Sequence, residues 1–434
     1  MLIGIDASRA NKKHKSGVEW YSYYIIRWLA KLDAQNQYIL YTNKPLTGGL
    51  LDLTTKQHID EADSGKTNKK AEFDNNGCQI IKSPHNNFRA KVLSWRLPFF
   101  WTQIRLSWEM LIHRPKILFI PAHTLPVIHP RKSIVTIHDI GFERDRKLYS
   151  QDGMGPKGVI GCRIINFLVR LFTLGKYRAN ILDYHSWSSQ FALKYAKEII
   201  TISNFSRKEI MEVYGAGSAK IKVVYNGYNK SLYKKEEDKR AIKQVISKYG
   251  IEEPYIFYVG KLEKKKNTPA LIEAYSIAKE KNNKIKHKLV LVGVASHGYD
   301  EVEYMIREFN LDNEVVVTGW IPEIDMPYIY SGASAFIFPS CYEGFGIPLL
   351  QAMACGIPTA ASQAASIPEI AKGAALLFNP NDVRSMAEAI AKIILDNELR
   401  QKLIKNGFNR VKDFSWEKCA KETLAEIEKV RITN

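Results

Sequence analysis

Residues 336–358 read FIFPSCYEGFGIPLLQAMACGIP, and no other segment constrains the fold as strongly. An apolar strand ends in a Gly-Phe-Gly turn at 344–346, and a helix follows with Pro348 in its first turn, where the missing N–H is harmless. The glycines let a ligand approach the backbone closely. Free N–H groups at the helix start suit an anion such as a diphosphate, and Glu343 stands beside them. The segment therefore predicts a strand–turn–helix that binds a phosphorylated ligand.

The same alternation of short apolar runs with helical patterns extends along the chain in both directions. It predicts parallel sheets built from βαβ units, and the continuous Val, Ile and Phe content fits strands covered on both faces. A highly charged segment, 229–242, separates two such series and is the expected hinge. The candidate strands are 2–6, 38–42, 116–120, 133–138, 198–203, 255–260, 288–293, 314–319, 334–340 and 357–362. Residues 44–77 are polar and are expected to form an exposed, mobile insertion.

Length and composition limit the class of protein. A chain of 434 residues suggests two or three domains. Five cysteines without a CxxC pair argue against a disulfide framework and a zinc site. The N-terminus is expected to be a first strand and not a signal peptide, and no apolar run reaches about 18 residues, so we expect a cytoplasmic protein without a transmembrane helix. A net charge of +18 suits nucleic acid, an anionic membrane or an anionic substrate.

The 336–358 segment resembles the signature of the family 4 glycosyltransferases, EGFG-x-P-x-x-E-A. These enzymes have the GT-B fold and retain the anomeric configuration. The resemblance implies that Glu343 lies near the donor sugar and that Gln351 replaces a Glu that accepts hydrogen bonds from the ribose. An amide cannot make the stronger, charge-assisted bond, so we expect weaker or altered nucleotide binding and retained activity. The turn residues implied in donor binding are Gly344, Phe345 and Gly346.

A second match is YVGKLEKKKN, residues 258–267, which resembles the family pattern G-R-L-x-x-x-K-N. In the family, the two cations clamp the diphosphate and stabilise the leaving nucleotide. Gly260 and Lys266 match, whereas Lys261 replaces the usual Arg and lacks its bidentate fork. Two fixed charges at a strand end favour the developing pyrophosphate charge. The intervening lysines 264–265 are expected to be solvated.

Further resemblances cover most of the chain. In SGVEWYSYYI, Gly17 is expected to let the backbone meet the donor phosphates or the acceptor. In TIHDIGF, His138 corresponds to a His that contacts the donor sugar in the family. Ser203 and Arg207 of ISNFSRKEI lie in a segment at the cleft, and for both a structural and a functional role stay open. Glu369 of SIPEI is expected to cap a helix and not to act in catalysis.

A basic, aromatic region occupies part of the first half. Residues 82–132 hold nine Lys or Arg and one acid, and residues 158–178 hold four cations and no acid, with bulky apolar residues between them. The pattern fits an interfacial membrane surface, a single-stranded nucleic acid site, or ordinary helices packing inward. With the glycosyltransferase resemblance, contact with an anionic membrane and a lipid-linked acceptor is favoured over nucleic acid.

The resemblance implies an α/β protein with two Rossmann-like domains facing across a cleft. The expected acceptor domain comprises residues 1–230 plus 414–434, and the expected nucleotide-sugar domain comprises 231–413. Residues 414–430 have the amphipathic period of a helix, which in the family crosses back to the first domain.

The implied reaction moves a hexose, with mannose as the first expectation, from a GDP- or UDP-linked donor to a glycan or lipid-linked acceptor in envelope polysaccharide or glycolipid synthesis. Glu343, His138 and Lys266 are the expected catalytic residues, and no metal or other cofactor is expected. Because Lys261 and Gln351 depart from the family pattern, a non-catalytic relative that binds a nucleotide sugar or polysaccharide in a cell-envelope assembly is the alternative. A GT-B sugar-nucleotide epimerase is a further one.

Overall fold

The chain forms two β-sheets, one from each half of the sequence. The computed structural model describes residues 1–53, 56–59, 78–80, 85–95, 97, 100–150, 166–167, 169–171 and 175–432. The strands described in the first sheet are β1 (Leu2–Asp6), β2 (Gln37–Thr42), β3 (Lys56–Ile59), β4 (Cys78–Ile80), β5 (Phe88–Val92), β6 (Ile117–Ile120), β7 (Ser133–Ile137), β8 (Glu198–Thr201) and β9 (Ile221–Val223). Those in the second sheet are β10 (Tyr255–Val259), β11 (Lys288–Val292), β12 (Val315–Gly319), β13 (Ala335–Phe338), β14 (Thr359–Ser362) and β15 (Leu376–Phe378).

Both sheets have a doubly wound order. The first sheet runs β4-β3-β5-β2-β1-β6-β7-β8-β9 and the second runs β12-β11-β10-β13-β14-β15. Neighbouring strands are parallel except for the antiparallel pair β3 and β4. The chain changes direction between β1 and β6 and again between β10 and β13, and ligands bind outside the carboxyl ends of the strands at such points.

Helices surround the sheets, so every residue of the central strands β6 and β7 is buried. The α-helices described are α1 (Gly17–Leu32), α2 (Ser107–Ile112), α3 (Gly141–Arg144), α4 (Ile181–Tyr195), α5 (Asn204–Tyr214), α6 (Lys239–Ser247), α7 (Thr268–Lys281), α8 (Tyr299–Glu308), α9 (Met326–Gly332), α10 (Ile347–Ala354), α11 (Ile367–Ala371), α12 (Val383–Leu395), α13 (Asn397–Arg410) and α14 (Trp416–Ile432). A π-helical turn, Trp101–Leu106, leads into α2.

The last helix, α14, follows the second sheet in the chain but packs against the first. Trp416 is buried and its ring stacks on Tyr24 of α1 at 5.1 Å. Near the other end of α14, the Asn36 amide donates to the Glu428 carboxylate at 2.7 Å. The returning helix expected from the sequence is therefore confirmed, whereas the domain bounds 1–230 with 414–434 and 231–413 stay a prediction.

All ten strands predicted from the sequence are present, but part of the region 44–77 differs from its prediction. The prediction of an exposed, mobile insertion is wrong for residues 48–53, a helical turn that buries Leu50 and Leu53, and β3 lies in the same region. Residues 54–55 and 60–77 lie outside the described residues. Besides β3, the strands not predicted are β4, β5, β9 and β15.

Candidate active site

The loops that follow β10 and β13 meet at the carboxyl edge of the second sheet. These two strands are neighbours in the sheet. Lys266, after β10, and Glu343, after β13, form an ion pair with Nζ 2.5 Å from Oε1. Glu343 is only 8% exposed, and its carbonyl accepts a hydrogen bond from Ser366 Oγ at 2.9 Å. Two predicted site residues therefore lie in direct contact at the point where the sheet changes direction.

The glycine turn brings the second sheet against the first. A Cβ on Gly344 would lie 2.6 Å from the carbonyl oxygen of His138, so this contact admits only glycine. Two hydroxyls of the first domain hold the contact: Ser203 Oγ donates to the Gly344 carbonyl at 2.8 Å, and Ser206 Oγ donates to the His138 carbonyl at 3.1 Å. Gly346 has a φ of +94° and directly precedes α10, whose first N–H groups open beside the turn.

The imidazole of His138 is fixed on the first domain. Its Nε2 lies 3.1 Å from the Pro121 carbonyl, to which it donates, and its ring meets the edge of Tyr21 at 4.7 Å. Burial lowers the pKa of His138, so the ring is neutral at physiological pH. With Nε2 carrying the proton, Nδ1 is left as a hydrogen-bond acceptor.

Lys265 corrects a prediction from the sequence, because it is not a solvated residue. Its Nζ lies 3.5 Å from Asp139 Oδ2 and packs over the rings of Tyr149 and Tyr342. Burial lowers the pKa of Lys265, but the charges of Asp139 and Glu343 outweigh this effect and raise the pKa overall. Lys265 and Asp139 thus form a largely buried ion pair between the two domains.

The sequence carried one signal for Asp139 and none for Lys265. Asp139 directly follows His138 at the carboxyl end of a predicted strand, the position where site residues are expected. Lys265 is the central residue of a lysine triplet, and no feature of the triplet distinguishes it. The neighbouring Lys264 is part-exposed and pairs with Glu301, which agrees with the expected solvated loop.

The remaining predicted residues do not join the contact between Lys266 and Glu343. The Gln351 amide oxygen accepts a hydrogen bond from Tyr330 Oη at 3.2 Å. Phe345 is buried against Tyr225 and Phe414, so its side chain belongs to the core and only its backbone faces the turn. Lys261 is exposed on the loop whose first residue, Gly260, donates its N–H to the Val292 carbonyl at 3.0 Å. Gly17 is the exposed first residue of α1, and a Cβ there would meet no other atom.

Glu369 has the structural role expected of it, although it acts on the other domain. Its carboxylate accepts hydrogen bonds from the backbone N–H groups of Asn204 at 2.8 Å and Phe205 at 2.9 Å, at the start of α5. Of the two residues left open, Ser203 contacts the glycine turn, as described above. Arg207 donates to the Ser218 carbonyl at 3.3 Å within its own domain.

Metal-ligand clusters and membrane spans are both missing from the described part of the chain. There, no group of three or more His, Cys, Asp or Glu side chains is arranged to hold a metal ion. No helix among the same residues combines the length and apolar character needed to cross a membrane. The thiols of Cys341, Cys355 and Cys419 are free.

Comparison with known proteins adds independent information. Residues 238–410 match the family model described as glycosyl transferases group 1. The chain is 30% identical to O-antigen chain mannosyltransferase B of Escherichia coli over 314 residues, which are 71% of this chain and 79% of that protein. It is 25% identical to the O-antigen chain mannosyltransferase RfbU of Salmonella typhimurium over 72% of this chain and 74% of that protein.

A solved structure supports the fold. Sucrose-phosphate synthase from Thermosynechococcus elongatus superposes with a TM-score of 0.69 over 99% of this chain and 98% of its own, at 18% identity. At this identity the likeness concerns the fold alone. The two facing Rossmann-like domains with a returning C-terminal helix, expected from the sequence, are thus confirmed.

Proposed function

The chain belongs to the group 1 glycosyltransferases, and we propose that it transfers mannose, with retention, from a GDP- or UDP-linked donor to a hydroxyl of a glycan or lipid-linked acceptor. The choice of mannose rests on the two O-antigen mannosyltransferases that it resembles. The same likeness supports a role in envelope polysaccharide or glycolipid synthesis.

The observation that carries the proposal is the Lys266–Glu343 ion pair beside the glycine turn. A donor diphosphate at the start of α10 would receive backbone N–H groups and the charge of Lys266, with Lys261 reaching it from the solvent side. As Lys266 turns to the diphosphate, Glu343 is released to orient the sugar and to stabilise positive charge at the anomeric carbon. His138 Nδ1 accepts a hydrogen bond from a donor sugar hydroxyl.

The proposed reaction is balanced in bonds, electrons and protons, and it uses no metal ion. The bond between the anomeric carbon and the diphosphate oxygen breaks, and its electron pair stays on the nucleoside diphosphate. The acceptor oxygen forms the new bond on the same face of the sugar, and its proton passes to the leaving diphosphate. The cations and helix N–H groups supply the charge that a divalent ion would otherwise provide.

Release of nucleoside diphosphate from GDP-mannose, UDP-glucose and UDP-N-acetylglucosamine, with and without added glycosides, tests this function. Lys266→Ala and Glu343→Ala are expected to lower the rate at least about a hundredfold, the scale of losing a group that acts in the transition state. Lys264→Ala is the matched control, because that lysine lies two residues away and pairs with Glu301 outside the site. Full activity of the Lys266 variant would contradict the proposal, and donor binding without turnover would favour the non-catalytic alternative.

Contact with the cytoplasmic face of an anionic membrane is part of the same proposal. One face of the segment 101–112 carries exposed apolar side chains at helical spacing, which are Ile104, Trp108, Leu111 and Ile112 at 50 to 58% exposure. Phe167 and Leu171 are exposed in the same way, with the exposed cation Arg170 between them. Within the two predicted basic stretches, residues 82–84, 96, 98–99, 158–165, 168 and 172–174, which include Arg163 and Phe99, lie outside the described residues.

Contacts with the α4 region connect these two apolar segments. Gln103 Nε2 lies 3.3 Å from Tyr184 Oη in α4, and Asn166 Oδ1 accepts a hydrogen bond from the Ala179 N–H at 3.0 Å, just before α4 begins. We name the surface formed by Ile104, Trp108, Leu111, Ile112, Phe167, Arg170 and Leu171 the apolar ridge. Bulky apolar groups beside an exposed cation suit the interface of an anionic lipid leaflet.

A further inference from the structure

The ammonium of Lys265 reaches from the second domain to the first beside the candidate active site. Its Nζ lies 3.5 Å from Asp139 Oδ2, and the two side chains are only 12% and 25% exposed. The Gly141 N–H donates to Asp139 Oδ1 at 3.2 Å, so each carboxylate oxygen has a partner. The reaction described so far gives neither Lys265 nor Asp139 a role.

Aromatic rings from both domains flank the same ammonium. Lys265 Nζ lies 4.8 Å from the ring centre of Tyr149 in the first domain and 5.7 Å from that of Tyr342 in the second. Tyr342 is buried, and its ring lies 5.5 Å from that of Phe205 in the first domain. An ammonium is attracted to an aromatic face, more strongly where water is excluded. If the domains moved apart, Lys265 would therefore lose both Asp139 and Tyr149.

Both members of this ion pair are charged at physiological pH. Burial raises the pKa of Asp139, but the charge of Lys265, assisted by the Gly141 N–H, outweighs this effect and lowers the pKa overall. Burial lowers the pKa of Lys265, but the charges of Asp139 and Glu343 outweigh it and raise the pKa overall. A charge that is buried without its partner is strongly unfavourable. Loss of either charge should therefore weaken the contact between the domains.

Lys265 also connects three loops of the site. It belongs to a helical turn in the loop after β10. Its carbonyl accepts a hydrogen bond from the Cys341 N–H at 3.0 Å, which attaches this turn to the loop after β13. Its ammonium contacts Asp139 in the loop after β7. These three loops carry the expected catalytic residues, which are Lys266, Glu343 and His138.

We infer that Lys265 and Asp139 are positioning residues, whose ion pair holds the loop of His138 against the donor site of the second domain during the proposed transfer. In that reaction Lys266 leaves Glu343 for the diphosphate, so the ion pair between their loops is lost. The contacts of Lys265 use other atoms and remain through this exchange. This inference rests on the proposed glycosyl transfer and adds the residues that align the two halves of the site.

Single and double variants test whether the two residues act together. Lys265→Met and Asp139→Asn each leave one charge without its partner. The double variant leaves no unpaired charge and is expected to fold even if a single variant does not. Lys265→Arg keeps the charge within reach of Asp139. Lys264→Met, Glu301→Gln and their double variant are the matched controls, because this ion pair starts from the same turn but lies within the second domain.

Turnover and nucleotide binding are expected to respond differently. Each single variant should lower kcat for release of nucleoside diphosphate from GDP-mannose at least about tenfold, because small displacements of reacting groups are costly. The double variant should lose no more than the slower single variant, and Lys265→Arg should recover most of the loss. The Kd of the nucleoside diphosphate, measured by calorimetry, should stay within about twofold. Its proposed contacts, Lys261, Lys266 and the start of α10, all lie in the second domain.

Hydrogen exchange of the unliganded protein tests the same contact without a donor. The N–H groups of Gly141 and Cys341 are hydrogen-bonded at the two ends of the contact. In Lys265→Met both are expected to exchange about tenfold faster than in the unchanged protein, because the domains separate more often. In Lys264→Met the exchange of both groups should not change.

Several results would overturn the inference. An unchanged kcat in both single variants would leave the pair a structural role only, and fully multiplicative losses in the double variant would show that the residues act separately. Loss of nucleotide affinity by the same factor as kcat would assign Lys265 to the donor. Unchanged exchange at Gly141 and Cys341 would overturn it even without turnover. If exchange is faster but the unchanged protein releases nucleoside diphosphate from no donor, only the proposed function is contradicted.

Discussion

Lys266 and Glu343 lie 77 positions apart in the sequence, yet their charged atoms are 2.5 Å apart. They follow β10 and β13, which are neighbours in the second sheet, so the sheet order alone brings the two loops together. Both charges are paired before any ligand binds. Under the proposed function, a donor diphosphate would compete with Glu343 for Lys266, and the pair would couple donor binding to the release of the carboxylate.

This coupling predicts that a double variant recovers the stability lost in the single variant but does not recover activity. Lys266→Met leaves the buried Glu343 carboxylate without its cation and is expected to lower the free energy of unfolding by about 1–3 kcal/mol. Adding Glu343→Gln removes the unpaired charge, so stability should recover while donor turnover stays abolished. Urea unfolding and release of nucleoside diphosphate measure the two effects. Equal stability of Lys266→Met and the unchanged protein would contradict a functional ion pair.

Replacement of Gln351 by Glu is predicted to raise the affinity for the nucleoside diphosphate. Its amide oxygen accepts from Tyr330 Oη at 3.2 Å, and a carboxylate in its place would keep that bond and strengthen any bond from the ribose. Gln351→Glu is expected to bind GDP or UDP about tenfold more tightly, as one strengthened hydrogen bond allows. Calorimetry with the nucleoside diphosphates measures this, with the exposed Gln363→Glu as the control for added charge. Unchanged or weaker binding would show that Gln351 does not meet the nucleotide.

Site residues that lie in contiguous sequence motifs could be predicted, whereas contacts between distant parts of the chain could not. Glu343 and Lys266 each lie in a contiguous motif at a strand end, so the sequence alone predicts both, and the structure brings them into contact. Their catalytic roles stay a prediction. Lys265 was misjudged because its partner Asp139 belongs to the other domain, and no local signal reports that contact. Phe345 was assigned to the donor from its motif, but its ring fills the core. Motif position determines the backbone at a site, whereas tertiary packing determines where each side chain points.

The contact of Glu369 with α5 predicts a loss of stability that is specific to the domain interface. Its carboxylate caps two backbone N–H groups of the first domain from a helix of the second. Glu369→Gln keeps the size but removes the charge that favours a helix N-terminus, so the free energy of unfolding should fall by about 1 kcal/mol. Glu398→Gln, in the first turn of α13 within the second domain, is the control. Equal losses in both variants would argue against an interdomain role.

Glu198 predicts a pH dependence of stability. Burial, and then the carboxylate of Glu426 in α14, raise the pKa of Glu198 from its ordinary value of 4.5 to about 7. Between these values the folded protein keeps a proton that the unfolded chain has lost, so stability must fall as pH rises through this window. Glu198→Gln removes the titration and should raise the unfolding free energy at pH 8 by about 1 kcal/mol or more, relative to pH 5. Glu417→Gln, exposed on the same helix, should leave the profile between pH 5 and 8 unchanged, because the hydrogen bond to Lys421 lowers the pKa of Glu417 and so keeps its titration below this window.

The apolar ridge predicts binding to anionic lipid that depends on both apolar side chains and charge. The protein should float with liposomes that contain phosphatidylglycerol at low salt and should float less at 0.5 M salt, because screening weakens attraction to the leaflet. Replacing Trp108 and Leu111 by Ser should abolish flotation without changing donor turnover in solution. Trp320→Ser is a close control, since Trp320 is 54% exposed on the second domain and Trp108 is 58% exposed on the first. Failure of the unchanged protein to float at low salt, or equal loss in the control, would contradict membrane contact through the ridge.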